Sequence, residues 1–293
     1  FIPRSANRPH TMSEQAPRGD ADAASDDRRD AFTSGLSEYT VVDSDVHISI
    51  GHEDLMPYLD EPHRGHVKHE SSNPGSSFDK HRGGRIKRQP PAYTASDIEE
   101  GLCRKFAVDH PIINPTGSEL GRLPNPEFEL ALMRAYNDYL LDEFLDKNDD
   151  FFGLIQLATS KPDKVAEEID RLGDEDQVVG CYLLPLGPDA PLGDPRYDVI
   201  YRAAEDNDLH LAFHSGSGSF RVDFPKQYYG FNSLLPIHTF SHPWGCMQAM
   251  VSLVVEGTPE KFPDLNFAFL EAGIAWVPWL MWRLNKEYSF RKD

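Results

Sequence analysis

From residue 151 onward, short apolar runs alternate with stretches whose apolar residues recur at helical spacing. The runs Phe151–Leu157, Val178–Leu184, Leu209–Phe213 and Leu265–Leu270 read as buried strands. Between them, 162–172 predicts a helix with Val165, Ile169 and Leu172 on one face and Pro162 near its start. Residues 195–207 predict a second helix, facing inward with Tyr197, Ile200, Tyr201 and Ala204. A looser segment then leads to a helix from about Trp244 to Glu256, and 274–288 predicts a last helix. Upstream, 126–145 predicts a long amphipathic helix with Phe128, Leu132, Ala135, Tyr136, Tyr139, Leu140 and Phe144 at helical spacing; these aromatics read as core. Residues 97–106 predict a helix capped by Ser96, Glu53–Tyr58 a short helical turn, and His110–Asn114 a weak strand. Strand and helix alternate, and the strands are continuously apolar. That is the pattern of a parallel sheet with crossover helices, an α/β fold.

The strand Val41–Ile50 breaks the pattern. Its β-branched residues suit a buried strand, yet it carries Asp43, Asp45 and His47. Side chains alternate along a strand, so these three fall on one face. Two carboxylates and an imidazole on a buried face need protons, partners or a metal to offset desolvation. Other polar residues sit at strand ends: His214, followed by Ser215-Gly216-Ser217-Gly218, and Glu271, followed by Ala272-Gly273. In a parallel β/α barrel the C-terminal strand ends share one mouth. Singly, each residue has a structural reading; together they form a carboxylate and imidazole set suited to zinc or a similar divalent ion. His242, in Phe240-Ser241-His242-Pro243-Trp244, is a candidate acid/base or substrate contact beside its reading as a helix-entry residue, and His238 is a weaker one.

Composition narrows the classes. The chain has 293 residues, with 48 Asp and Glu against 29 Lys and Arg, a formal net charge of −19. So acidic a surface argues against nucleic-acid binding. With acids spread along the whole chain and Lys scarce, it reads as adaptation to a salt-rich cytoplasm, that is, a halophilic protein. No apolar run is long enough to span a bilayer, and Phe1 to Ala24 shows no secretory signal. Cys103, Cys181 and Cys246 are widely spaced and suggest no disulfide framework, which fits a cytoplasmic location. Residues 1–39 read as a disordered acidic tail, with Met12 as the expected natural start. Residues 63–96 read as a long loop insertion, a solvated basic loop or a lid meeting an anionic substrate or another subunit; it concentrates Arg64, Lys68, Lys80, Arg82, Arg85, Lys87 and Arg88. No glycine-rich phosphate loop supports a nucleotide or sugar-phosphate site.

Three stretches resemble the amidohydrolase-related family that includes aminocarboxymuconate semialdehyde decarboxylase. Asp43-Ser44-Asp45-Val46-His47 resembles its first-strand metal motif, and Ala212-Phe213-His214-Ser215-Gly216 its fifth-strand histidine. Phe262 to Trp279, through Leu270-Glu271-Ala272-Gly273, resembles its sixth-strand segment most specifically. The resemblance covers roughly residues 40–290. It implies a (β/α)8 TIM barrel, here about six of eight β/α units over 40–293, holding one divalent metal ion, most often zinc. It implies Asp45, His47 and His214 as metal ligands and Asp43 as a residue supporting them. Glu271 stands where those decarboxylases place a catalytic histidine, so Glu271 and His242 are the catalytic candidates. The family's further aspartate comes from an eighth strand that is not found here, so the sequence is expected to be a C-terminally truncated member.

The expected function is a metal-dependent hydrolase of C–N or C–O bonds, or a decarboxylase of a small carboxylated or carbonyl-containing substrate, without nucleic-acid or membrane partners and compatible with a homo-oligomer. The alternative is a non-catalytic barrel-shaped binding protein or inactive fragment lacking the eighth-strand Asp. The charge generates a prediction. Screening relieves the self-repulsion, so the thermal unfolding midpoint should rise as KCl goes from low to molar concentration. A midpoint that stays flat or falls would count against the salt-adapted reading.

Overall fold

Among the described residues, six strands hydrogen-bond in chain order, β1-β2-β3-β4-β5-β6, to make the sheet. They are β1 (Val42–Ser49), β2 (His110–Thr116), β3 (Phe152–Gln156), β4 (Val178–Leu183), β5 (His210–His214) and β6 (Phe267–Leu270). Every neighbouring pair is parallel. The computed structural model describes residues 35–36, 38–50, 52–65, 94–116, 123, 125–185, 189–214 and 234–291. Residues 41–293 cluster as one unit and residues 1–40 as another. The expected disordered tail lies outside the described residues except for Gly35, Leu36, Glu38 and Tyr39. The loop cations Lys68, Lys80, Arg82, Arg85, Lys87 and Arg88 lie outside them as well.

Among the described residues, five helices of nine residues or more follow the strands: α1 (Pro126–Glu143), α2 (Pro162–Leu172), α3 (Asp198–Asp206), α4 (Leu234–Val255) and α5 (Trp276–Phe290). The result is an incomplete (β/α)8 barrel: the parallel sheet with crossover helices is what the alternation predicts, and the barrel form is what the family resemblance implies. Among the described residues β1 and β6 each pair on one side only, and α5 leaves Trp279, Met281 and Trp282 exposed. No described helix is long and apolar enough to cross a membrane.

Local chemistry sets the helix starts. The Asn125 side chain accepts hydrogen bonds from the backbone N–H groups of Glu127 and Phe128, at 3.1 and 3.3 Å, with Pro126 opening α1. The helix expected over 97–106 begins earlier, at Ala95, because Thr94 rather than Ser96 is its cap. Thr94 Oγ1 accepts the Asp97 N–H, while the Asp97 carboxylate accepts the Thr94 N–H. Helix α4 begins at Leu234, well before the expected Trp244. His242 is therefore not a helix-entry residue: it and Pro243 lie inside α4.

The layer between sheet and helices is the core. Ile113, Ile155, Cys181, Leu211 and Phe213 of the strands pack there with Met133, Leu140, Val165, Ile169, Ile200 and Tyr201 of the helices. Gly193 lets α4 come close: a Cβ there would lie 2.2 Å from the Ser252 carbonyl oxygen, and the Gly193 N–H donates to Ser252 Oγ at 2.7 Å.

A polar network is sealed into this layer. Asn137 of α1 accepts the Gln156 N–H at 2.7 Å and donates to the Gln156 carbonyl at 3.2 Å and to Glu168 at 3.0 Å. Glu168 of α2 is fully buried and receives both Nε and Nη2 of Arg171. The pairing carries a fixed acid into the interior with its partners attached. Asn137→Ala strips the backbone of Gln156 of both bonds. It should lower unfolding stability by about 1–3 kcal/mol in urea titration; a loss within error of zero would show that the network holds nothing.

Candidate metal centre

Strand β1 delivers two side chains to the sheet's inner face. Its pairing with β2 shifts between Asp43 and Val46, and the Asp45 N–H donates to Asp43 Oδ1 at 3.1 Å. Asp43 therefore serves the backbone at the irregularity. Val46 and Ile48 turn into the helix-side core, which sends Asp45 and His47 the other way. Asp45 Oδ1 and His47 Nε2 lie 3.3 Å apart.

Strand β5 ends at His214, buried at 3% exposure. Its Nε2 lies 3.2 Å from His47 Nε2, 3.7 Å from Asp45 Oδ1 and 3.3 Å from Glu271 Oε2. Strands β1 and β5 are four positions apart in the sheet, about 19 Å if it were flat. Their side chains meet because the sheet curls, as a barrel wall does. Tyr182 of β4 stacks on the His214 ring at 5.9 Å between centroids.

Glu271 follows β6 with a left-handed backbone, φ 49°, and Gly273 follows at φ 67°. The conformation costs a non-glycine residue about 1–2 kcal/mol. The Trp276 indole N–H donates to the Ala272 carbonyl at 2.7 Å and holds the turn. Behind Glu271, His242 Nε2 lies 3.4 Å from its Oε2, and Ser241 Oγ is 2.9 Å from His242 Nδ1. Both Ser241 and His242 are buried.

One ligand atom each from Asp45, His47, His214 and Glu271 falls within a span of 4.8 Å. Tetrahedral bonds of about 2.0–2.2 Å would separate neighbouring donors by about 3.3–3.6 Å. Four of the six separations, those of His47–His214, Asp45–His47, Asp45–His214 and His214–Glu271, run from 3.2 to 3.7 Å, close to that spacing, and all six stay within 4.8 Å. Two imidazole nitrogens facing one another between two carboxylates form a donor set for a divalent cation. The residues present fit such an ion.

The sequence reading thus has four site residues brought together, with His242 one contact away and Asp43 outside the set. The side chain of His238 lies outside the described residues. Arg64 donates from Nε to the Met56 carbonyl at 3.2 Å. Two neighbours escaped the sequence reading. Asn114, fully buried, donates from Nδ2 to Asp45 Oδ1 at 2.7 Å; a lone amide after Ile112-Ile113 was its only signal. Tyr182 had none, since a tyrosine in an apolar strand reads as core.

The amidohydrolase family model matches residues 120–290. The chain belongs to the amidohydrolase family. The matched span contains His214, His242 and Glu271, while Asp45 and His47 precede it and join through the fold. Among solved structures, this amidohydrolase is similar to an amidohydrolase from Mycobacterium avium subsp. paratuberculosis K-10, at 16% identity and TM-score 0.63 over 86% of this chain and 76% of that one. It is similar to 5-carboxyvanillate decarboxylase from Novosphingobium aromaticivorans, solved with manganese and 4-hydroxy-3-methoxy-5-nitrobenzoic acid, at 17% identity and TM-score 0.61 over 88% and 72%. A third is 2,6-dihydroxybenzoate decarboxylase from Rhizobium, at 19% identity and TM-score 0.56 over 83% and 69%. No curated protein matches its sequence. At these identities the likeness is one of fold.

Burial lowers the His47 pKa below its ordinary 6.5; the neighbouring His214 adds to this, and Asp45 and Glu271 oppose it. As pH falls past 6.5 the unfolded chain takes up this proton before the folded one. The associated stability is present above 6.5 and lost as pH drops toward the folded value. In metal-free protein, His47→Asn should flatten the fall of stability between about pH 7 and 5 in urea titrations; an unchanged slope would contradict the shift.

Proposed function

We propose that this amidohydrolase-family protein is a metal-dependent enzyme that decarboxylates a small aromatic carboxylate without oxidation. The observation carrying the reading is the convergence of Asp45, His47, His214 and Glu271, with His242 backing Glu271. Asp45, His47 and His214 are the proposed holders of the ion, zinc on the mixed imidazole and carboxylate donor set. A bound divalent ion supplies Lewis acidity toward a substrate oxygen. The rest falls to side chains. In decarboxylation the bond from ring carbon to carboxylate breaks, its electron pair stays on carbon, and carbon dioxide leaves. Carbon then needs a proton, and Glu271 in its acid form is the proposed donor. His242 is the group next to Glu271 that can restore it, with Ser241 holding the far ring nitrogen.

Support for decarboxylation over hydrolysis comes from the structural neighbours named as decarboxylases of hydroxylated benzoates. Under hydrolysis the same Glu271 would act as base toward a water. The acidic composition fits a salt-rich cytoplasm, and the three cysteines are free. The substrate is a small molecule, and a homo-oligomer is compatible with the fold.

Metal analysis after purification in high salt tests the centre: about one equivalent in wild type, and a large loss in Asp45→Asn, His47→Ala and His214→Ala. Retention in all three variants would end the reading. Turnover of 2,6-dihydroxybenzoate and 5-carboxyvanillate, followed by carbon dioxide release, tests the chemistry against lactones and amides. His242→Asn should lower kcat by about 10²–10⁴. Metal bound tightly with no turnover on either panel would favour the non-catalytic barrel instead.

A further inference from the structure

Asn114 is placed where a metal ligand is aimed. It lies in β2 opposite His47 in the strand register and is fully buried. Its Nδ2 donates to Asp45 Oδ1 at 2.7 Å and lies 3.3 Å from the Ser44 carbonyl. The orientation of the amide is set by its partner, because an ionised carboxylate can only accept. The oxygen it binds is the one facing both imidazoles, 3.3 Å from His47 and 3.7 Å from His214. Asn114 Oδ1, in contrast, is buried with no hydrogen-bond partner among the described residues. A leucine would fill this volume without burying an unpaired acceptor, so packing alone gives no reason for an amide here.

We propose that Asn114 is a positioning residue for Asp45, fixing its rotamer so that Oδ1 faces His47 and His214 and raising the affinity of the centre for its ion. The inference rests on the metal reading of that centre. It adds a residue that touches neither ion nor substrate and acts through Asp45. A purely structural alternative exists: Asn114 ties β2 to β1 beside the irregular pairing between Asp43 and Val46. The two roles separate experimentally, because one depends on the Asp45 carboxylate and the other does not.

The test is competition of zinc, and separately manganese, against a chromophoric chelator, with the wild type, Asn114→Leu, Asn114→Ala, Asp45→Asn and the doubly substituted proteins. Leucine keeps the volume, and alanine serves if leucine does not fold; the thermal midpoint of each metal-free protein reports folding. Loss of an outer hydrogen bond to a ligand typically weakens metal binding roughly 10–100-fold. That loss is expected in the Asn114 variants and should largely vanish on the Asp45→Asn background. Wild-type affinity in a folded Asn114 variant, or the same fold-change with and without the Asp45 carboxylate, would overturn the inference and leave the metal reading standing. Failure of the wild type to bind either ion would sink both.

Discussion

The structure depends on bringing His47 and His214 within hydrogen-bonding distance from strands that are not neighbours. Three strands lie between them, and only a curled sheet closes that span. Curvature in turn fixes the rest. It turns one face of every strand toward a shared interior and the other toward the helices. It makes the C-terminal strand ends converge, so that Glu271 meets His214. Four donors of mixed charge are then held close together, a costly arrangement unless a cation or shared protons offset it. The fold can sustain the arrangement because the outer layer is a dense apolar core, in which the sealed acid Glu168 is held by Asn137 and Arg171.

Much of this was legible in the sequence, for identifiable reasons. Helix α2 was readable to the residue because Pro162 marks its start and Val165, Ile169 and Leu172 repeat cleanly. The strands were readable because parallel strands buried on both faces are apolar throughout. Asp45, His47, His214 and Glu271 stood out as polar residues against such runs. What was hidden depended on geometry that periodicity does not carry. The helix expected from about Trp244 begins at Leu234, which puts His242 inside α4 and not at its entry. Asp43 shared the alternation of Asp45 and His47, but the shift in pairing directs it to the Asp45 N–H. Asn114 shows in the sequence only as a lone amide after Ile112-Ile113, and nothing local to β2 reveals the carboxylate it meets across the strand gap.

The two halves of the proposed site are mounted differently. Asp45, His47 and His214 come from strands, which the sheet holds rigidly. Glu271 sits on a strained turn pinned by Trp276, and His242 comes from α4, which Gly193 and Ser252 fasten to the segment after β4. In the proposed function, ion binding and proton delivery thus rest on separate supports. Changes in the turn or the helix can retune the proton donor without disturbing the strand-borne donors.

The contact between His47 and His214 joins positions 167 residues apart in the chain. The entropic cost of closing a loop grows only slowly with its length, and the strands between β1 and β5, each paired with its neighbour, carry that closure. Only a chain that has curled its sheet displays the four side chains together, so occupancy of the centre would report the folded state, and an ion that enters would hold β1 to β5 across the barrel mouth, where among the described residues no backbone ladder does.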